Sequence, residues 1–470
     1  MATVAELTVD RSTPLERAME VIDRNGCGIV FVTDETDSLV GTATDGDVRR
    51  GILDGVGLDE PVGAVMNEDP LAARDDRDGS AVGDRLDTEA VKARVNEPNT
   101  LTVPVVDDDG VPVDVVHVTE NGERVASDPT PKGNVDMVLV IGGAGHIGSV
   151  LCHELIDDGY SVRVLDSLLY GDHGISDLLG HERFSLIEGD MRSIETVVDA
   201  IKGVDAVVHL AALVGDPASA IDAQKTLELN YHSVKLVAEI CRYHQINRFL
   251  FASTCSVYGR SHSPEKLLTE TDELNPVSLY AKTKIESERA LREMADTNFS
   301  PTILRMGTIY GLSPRMRFDL VVNVLSAKAH EEGVIPIFGG DQYRPNVHVR
   351  DAARAYIDCL EAPIEAVSNE VFNVGSNEQN YQIKEIGERI ADVFPAAEID
   401  WQREKEDERS YQVDFAKIRD ALGFETEHTI RDGAREIKDA FERGEFEDYT
   451  RNRYSNYRTL ENNFERVVSD

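Results

Sequence analysis

At 470 residues the chain is too long for one ordinary core, and two or three domains are expected. Its 48 Lys and Arg against 87 Asp and Glu leave a net charge of −39, which excludes nucleic acid and anionic membranes as natural partners and reads as adaptation of a halophilic protein to a salty cytoplasm. No apolar run reaches the length of a membrane span, no secretory signal opens the chain, and five scattered cysteines (Cys27, Cys152, Cys241, Cys255, Cys359) fit no metal spacing, so a cytoplasmic protein without structural zinc is expected.

Residues 1–126 form the first expected domain. Thr13 can cap a helix whose first turn holds Pro14 and Glu16, whose apolar face is Leu15, Ala18, Met19 and Ile22, and which Gly26 ends. The strands GIVFVTD and LVGTAT follow, then a helix from Asp45. A weaker echo runs from VMNEDPLAA to LTVPVVDDDGVPVDVVHVTE, two strands around an Asp-Gly turn, with an acidic loop where much of the first helix would be. This is an internal repeat of about sixty residues. Residues 127–136, with two prolines and no apolar periodicity, read as a linker.

The order then changes to alternating strands and helices. A buried strand, Val138 to Ile141, runs straight into Gly142, Gly143, Gly145 and Gly148, with His146 and Ile147 opening a helix that stops at Gly159. The next strand, SVRVLD, ends at Asp166, 21 residues beyond Gly145. Glycines let backbone approach a pyrophosphate, the helix start offers unpaired N–H groups, and an acid at that distance accepts from ribose hydroxyls while repelling a 2′-phosphate. The cofactor expected is therefore NAD. FSLIEGD, AVVHLAA, RFLFAST and PTILRMG continue the alternation, which implies a doubly wound parallel Rossmann sheet over 137–310, with Asp190, Met191, Leu210, Ala211 and Ala212 at strand ends lining the cofactor.

RFLFAST ends on Thr254, Cys255 and Ser256, and YAKTK then places Tyr280 and Lys284 four apart, on one helix face. A tyrosine is a poor base at neutral pH, but a nearby ammonium favours its phenolate. Tyr280 could then take a proton from a sugar hydroxyl while Thr254 holds the same oxygen. Cys255 reads as a packing residue.

GGAGHIG, HLAA, Asn230 in ELNYHS, STCSVYG, YAKTK and FNVG resemble the extended short-chain dehydrogenase/reductase superfamily, in its nucleotide-sugar epimerase/dehydratase group, over about residues 136–425. The resemblance implies Thr254, Tyr280 and Lys284 as the catalytic set, Tyr280, Lys284 and Asn230 as cofactor-binding residues, Asn230 also structuring the site, and a substrate lobe within 311–470, interleaved with Rossmann elements. It also implies Arg344 on the substrate diphosphate, with Arg409 a second candidate and Arg315, Arg317 and Asn323 near the lobe. Where dehydratases of this group carry acids after the threonine stand Cys255 and Ser256, which favours 4-epimerisation or simple oxidation/reduction; Thr308 replaces the usual asparagine and leaves the sugar open. LVGTATDGDVRRGIL resembles a cystathionine-β-synthase-type (CBS) domain, one of a pair with a degenerate second copy. That resemblance implies an adenine nucleotide in the cleft, with Thr44 and Asp47 near its ribose.

The expectation is an NAD-dependent nucleotide-sugar 4-epimerase, UDP-glucose/UDP-galactose by default. A nucleotide-sugar oxidoreductase or dehydratase and a non-catalytic nucleotide sensor are the alternatives. A homodimer through helices near 226–245 and 279–296 follows family habit, and the tyrosine- and asparagine-rich tail YTRNRYSNYRTLENNF suggests only packing or an oligomer contact.

Overall fold

The four side chains from Val138 to Ile141 are all buried because the strand lies between two layers of helices. Val138 and Val140 enter one core with Val150, Leu151 and Leu155; Leu139 and Ile141 enter another with Val207, Val234 and Phe249. The structure is a computed structural model. It describes residues 4–25, 28–34, 36–53, 55–74, 101–107, 110–118, 135–261, 266–402 and 409–468, and the chain divides into two compact units, Met1–Asn134 and Val135–Asp470.

In the first unit, β1 (Thr8–Asp10) pairs parallel with β2 (Ile29–Thr33), which pairs antiparallel with β3 (Leu39–Thr44). The helix Leu15–Asn25 packs Leu15, Ala18 and Ile22 on Val30, Val32 and Val48. Met19, expected on that face, is 36% exposed, because the core-facing stripe is narrower than the run of apolar residues. The same pairing recurs in β4 (Ala73–Arg74), β5 (Leu101–Val106) and β6 (Pro112–Val118). Gly26, Cys27, the acidic loop and most of the linker lie outside the described residues.

The second unit is built on seven parallel strands: β7 (Met137–Ile141), β8 (Ser161–Asp166), β9 (Phe184–Glu188), β10 (Ala206–His209), β11 (Arg248–Thr254), β13 (Ser300–Met306) and β17 (Val371–Val374). Between β11 and β13 comes the short β12 (Leu267–Leu268). The sheet order β17-β13-β11-β10-β7-β8-β9 reverses direction between β7 and β10, and the crevice outside the carboxyl ends of those two strands is where an open α/β sheet receives a ligand. The segment expected as one helix near 226–245 is Ala223–Leu227, a π-helical turn Glu228–His232, then Ser233–Tyr243.

Beyond residue 307 the chain leaves and re-enters this sheet. β14 (Thr308–Tyr310), β16 (Tyr343–His348) and β18 (Asn380–Gln382) make a small sheet beside the pair β15 (Val334–Phe338) and β19 (Glu398–Gln402), while β20 (Gln412–Val413) pairs with β12. The helices Val321–Glu331, Ile383–Val393 and Ile430–Glu442 close a core around Tyr310, Ile335 and Ile386. The tail is anchored at two points: Tyr454 packs with Phe318 and Phe441, and Leu460 with Leu213 and Ala218. Among the described residues no helix is long and apolar enough to cross a membrane.

Candidate active site

Gly142 follows β7 with φ +86°, and a Cβ there would lie 2.7 Å from the Ala211 nitrogen; at Gly148 a Cβ would lie 2.4 Å from the Gly142 oxygen. These close approaches let the turn, the Leu210–Ala212 segment and the helix His146–Asp157 meet at the crevice. That helix begins at Gly145 with no side-chain cap, so its first N–H groups face outward for an anion. A cavity of about 1300 Å³ opens there, lined by Gly142, Gly145, His146, Ile147, Gly148, Asp166, Asp190, Met191, Leu210, Ala211 and Ala212. It exceeds the ~300–1,000 Å³ usual for one small ligand, as a site for two ligands in contact must.

Asp166 accepts from the Ala144 nitrogen at 3.0 Å and the Leu168 nitrogen at 2.9 Å, which ties the glycine turn to the end of β8 and leaves each oxygen a second acceptor position. Burial pushes its carboxyl up, against those two bonds. Asp190 is also pushed up by burial, but bonds from Arg192 outweigh this and hold it below the usual range. Arg192, which also lines the cavity, reaches it through Nε at 2.9 Å.

At the other end of the crevice, three consecutive residues of β11 each engage one residue of the helix Leu279–Met294, which Ser278 caps. Lys284 Nζ donates to the Ala252 carbonyl at 2.6 Å. The Ser253 hydroxyl donates to Glu288. Thr254 shares a hydrogen bond with the Tyr280 phenol, and Thr254 Oγ1 accepts from the Ser256 nitrogen at 3.1 Å, leaving its own proton to donate. Thr254, Ser256, Tyr280, Lys284 and Thr308 all line the cavity.

Burial lowers Lys284 to about 7, with Glu288 opposing it. Burial pushes the Tyr280 phenol above its ordinary value, and the largest opposing influence is the Arg317 guanidinium, not the lysine anticipated from the four-residue spacing. The reason is placement: Lys284 Nζ is drawn under the strand to Ala252, 5.9 Å from the centre of the Tyr280 ring. Glu288 is itself locked to Arg305, 2.7 Å from Nη2, with both side chains 5% exposed. A glutamate four residues beyond Lys284 was readable in the sequence; its arginine partner on β13 was not.

On the lobe side, Arg344 is buried and donates to the Tyr343 carbonyl at 2.8 Å and to the Arg409 carbonyl. Arg409 lies 2.5 Å from Asp216 in a half-exposed ion pair, so it is both a salt-bridge residue and part of the cavity wall. Arg315 and Arg317 line the cavity as well, Arg317 paired with Asp319 at 2.9 Å.

Two sequence candidates, Asn230 and Asn323, are not at the cavity surface, and Cys255, expected only to pack, is also away from it. Asn230, expected to bind cofactor, is fully buried; its amide accepts from the Leu213 nitrogen at 2.8 Å and donates to the Leu213 carbonyl at 3.0 Å and to the Thr283 hydroxyl at 3.4 Å, so it acts on the cavity through the Leu213 segment and the Tyr280 helix. Asn323 is spent in the same way on the backbone of Gly311 and Arg317. Cys255 is buried under the strand end with its thiol 3.2 Å from the Arg305 carbonyl, and burial pushes that thiol far above its usual range. Sequence reading missed Tyr170, Arg192, Tyr411 and Asn456, which all line the cavity but carry no local motif.

A glycine cradle that a Cβ would fill, an uncapped helix start and an acid at the end of the second strand together fit a dinucleotide. Residues 138–375 match the profile of the NAD dependent epimerase/dehydratase family, and residues 3–54 match that of the CBS domain. The low-salt glycan biosynthesis protein Agl12 of Haloferax volcanii is 30% identical over 304 residues, 63% of this chain and 95% of that protein. Among solved structures, the UDP-glucuronic acid 4-epimerase of Bacillus cereus in complex with UDP-glucuronic acid and NAD is 26% identical with a TM-score of 0.59, covering 65% of this chain and 99% of that one. The dTDP-glucose 4,6-dehydratase DesIV of Streptomyces venezuelae, with NAD bound, is 26% identical with a TM-score of 0.58, covering 66% and 99%.

Proposed function

We propose that this chain, which belongs to the NAD dependent epimerase/dehydratase family, interconverts nucleotide sugars at the sugar C4 position with bound NAD. The chemistry NAD supplies is reversible hydride acceptance. Tyr280 takes the proton of the 4-hydroxyl and later returns it, Thr254 holds the same oxygen, and the Arg317 guanidinium is the main influence favouring the phenolate against the burial that opposes it, with the Lys284 ammonium, 5.9 Å from the ring centre, adding to it. Arg344 and Arg409 hold the diphosphate of the substrate, leaving the sugar free to turn in the cavity between the two proton transfers.

One observation carries the epimerase reading over the dehydratase one. The end of the cavity around Tyr280 is lined by the hydroxyls of Thr254, Ser256 and Thr308, and the acids on that side, Asp216 and Asp319, are paired with Arg409 and Arg317. Among the described residues no unpaired carboxylate stands beside Thr254 to remove water across C5–C6. Incubation with UDP-glucose, UDP-galactose, UDP-glucuronic acid and dTDP-glucose, followed by NMR, is expected to give a mixture of C4 epimers with no net NADH. Steady NADH production, or a 4-keto-6-deoxy product, would overturn it.

For the first unit we infer an adenine nucleotide at the start of the helix Asp45–Leu53. Asp47 accepts there from the Thr44 nitrogen at 2.9 Å and from its hydroxyl at 2.6 Å, which presets the turn. Calorimetry of the full chain with AMP and ATP tests this: Thr44→Val and Asp47→Ala should abolish binding, and no heat with the wild type refutes it. A homodimer through the faces carrying Leu227 and Tyr243, 39% and 84% exposed, is the matching assembly, checked by light scattering.

A further inference from the structure

Five of the eleven buried side-chain atoms with no hydrogen-bond partner among the described residues belong to four residues lining this one cavity: His146 Nε2, Tyr170 Oη, Arg315 Nε and Nη2, and Asn456 Oδ1. Unpaired buried polar atoms are costly, and so many in one wall point to a ligand that partners them. They lie on the phosphate side. His146 is the first residue of the helix after the glycine turn, and its Nδ1 bonds the Arg315 carbonyl at 3.0 Å. The Arg315 guanidinium stacks 4.4 Å from the centre of the Tyr170 ring, four residues beyond Asp166. Arg315 is 1% exposed; burial lowers it to about 10, so it keeps its charge at neutral pH.

The C-terminal tail completes this wall. The Asn456 nitrogen donates to Asp319 at 2.9 Å, the same carboxylate that pairs with Arg317, so the tail is tied to the segment carrying Arg315. Leu460 packs against Leu213 with Leu169 and Tyr170 alongside, so the tail also braces the loop after β8. Asn456 lies beyond the 138–375 segment matched by the family profile.

We propose that Arg315 and Asn456 clamp the pyrophosphate and adjoining ribose of the bound dinucleotide, which makes the C-terminal tail part of the cofactor site. A pyrophosphate at the helix start gives the guanidinium a paired acceptor and meets the helix dipole, and the Asn456 carboxamide oxygen accepts from a ribose hydroxyl. The proposal rests on the NAD reading and is independent of whether the reaction is epimerisation or dehydration.

The test compares the full-length wild type with Asn456→Ala, Arg315→Lys and Arg315→Met. NAD retained through purification is released by acid and quantified, its dissociation rate is followed after dilution, and the KM for the nucleotide sugar is measured alongside. Asn456→Ala and Arg315→Lys should each release NAD at least about tenfold faster, with Arg315→Met larger, the sugar-nucleotide KM little changed at saturating NAD and the melting temperature of the NAD-stripped proteins kept. Unchanged NAD retention overturns the proposal, as does a KM effect on the nucleotide sugar without one on NAD, which would place this wall on the substrate. If Arg315→Met does not fold, the other two variants decide. A wild type that binds no NAD refutes the cofactor reading and this proposal together; a wild type that binds it while the variants match refutes this proposal alone.

Discussion

Across one cavity, the wall at 142–148 presents backbone, and the wall at 308–319, 344, 409 and 456 presents charged and amide side chains. The first is shaped by what is missing: a Cβ at Gly142 or Gly148 would sit inside a neighbour's backbone. The second is shaped by pairing, with Arg317 on Asp319 and Arg409 on Asp216. A backbone wall is intolerant of a single methyl and indifferent to charge; a side-chain wall tolerates changes of shape but not the loss of a partner. Between them stands the Tyr280 helix, stitched residue by residue to β11.

That middle element should give the largest effect. Tyr280→Phe is expected to lower kcat by about 10³-fold while NAD content stays at the wild-type level, because only the proton transfer is removed. Unchanged kcat would remove Tyr280 as the base.

Next comes the buried pair behind it. Glu288→Gln leaves Arg305 uncompensated and should cost about 3–5 kcal/mol in denaturant unfolding. It also has a pH signature. The Lys284 ammonium is lost as pH rises through about 7, and Glu288 opposes that loss. Without Glu288 the ammonium is lost at lower pH, so the alkaline limb of the kcat/KM profile should move toward acid. A stability loss with an unmoved limb would make Glu288 purely structural.

The backbone wall comes third. Gly142→Ala combines φ +86° with a Cβ 2.7 Å from the Ala211 nitrogen, and should cost about 1–3 kcal/mol and release NAD, measured by melting and by nucleotide content. The smallest effect falls on the lobe wall. Arg409→Ala breaks a half-exposed pair, so stability should change by less than about 1 kcal/mol while the KM for the nucleotide sugar rises. A large melting shift with an unchanged KM would return Arg409 to a scaffold role.

The glycine turn, Asp166, the Thr254–Tyr280–Lys284 set and the alternating sheet were legible because each is a short-range pattern: a strand runs into a turn, an acid ends the next strand, two residues share a helix face. Asn230 was legible as a position but misread as a contact, since burial of its amide against Leu213 depends on a loop seventeen residues away. The charge acting on Tyr280 was misassigned because spacing shows which side chains share a face and not which atom each one reaches.

Arg305 on Glu288, Arg315 over Tyr170 and Asn456 against Asp319 had no signature at all in the chain. Local patterns are dictated by backbone geometry, which repeats every two or 3.6 residues and can be counted along a sequence. Which distant side chain enters a cavity is dictated by packing, and packing joins residues such as 146, 315 and 456 only after the sheet, lobe and tail have closed on one another.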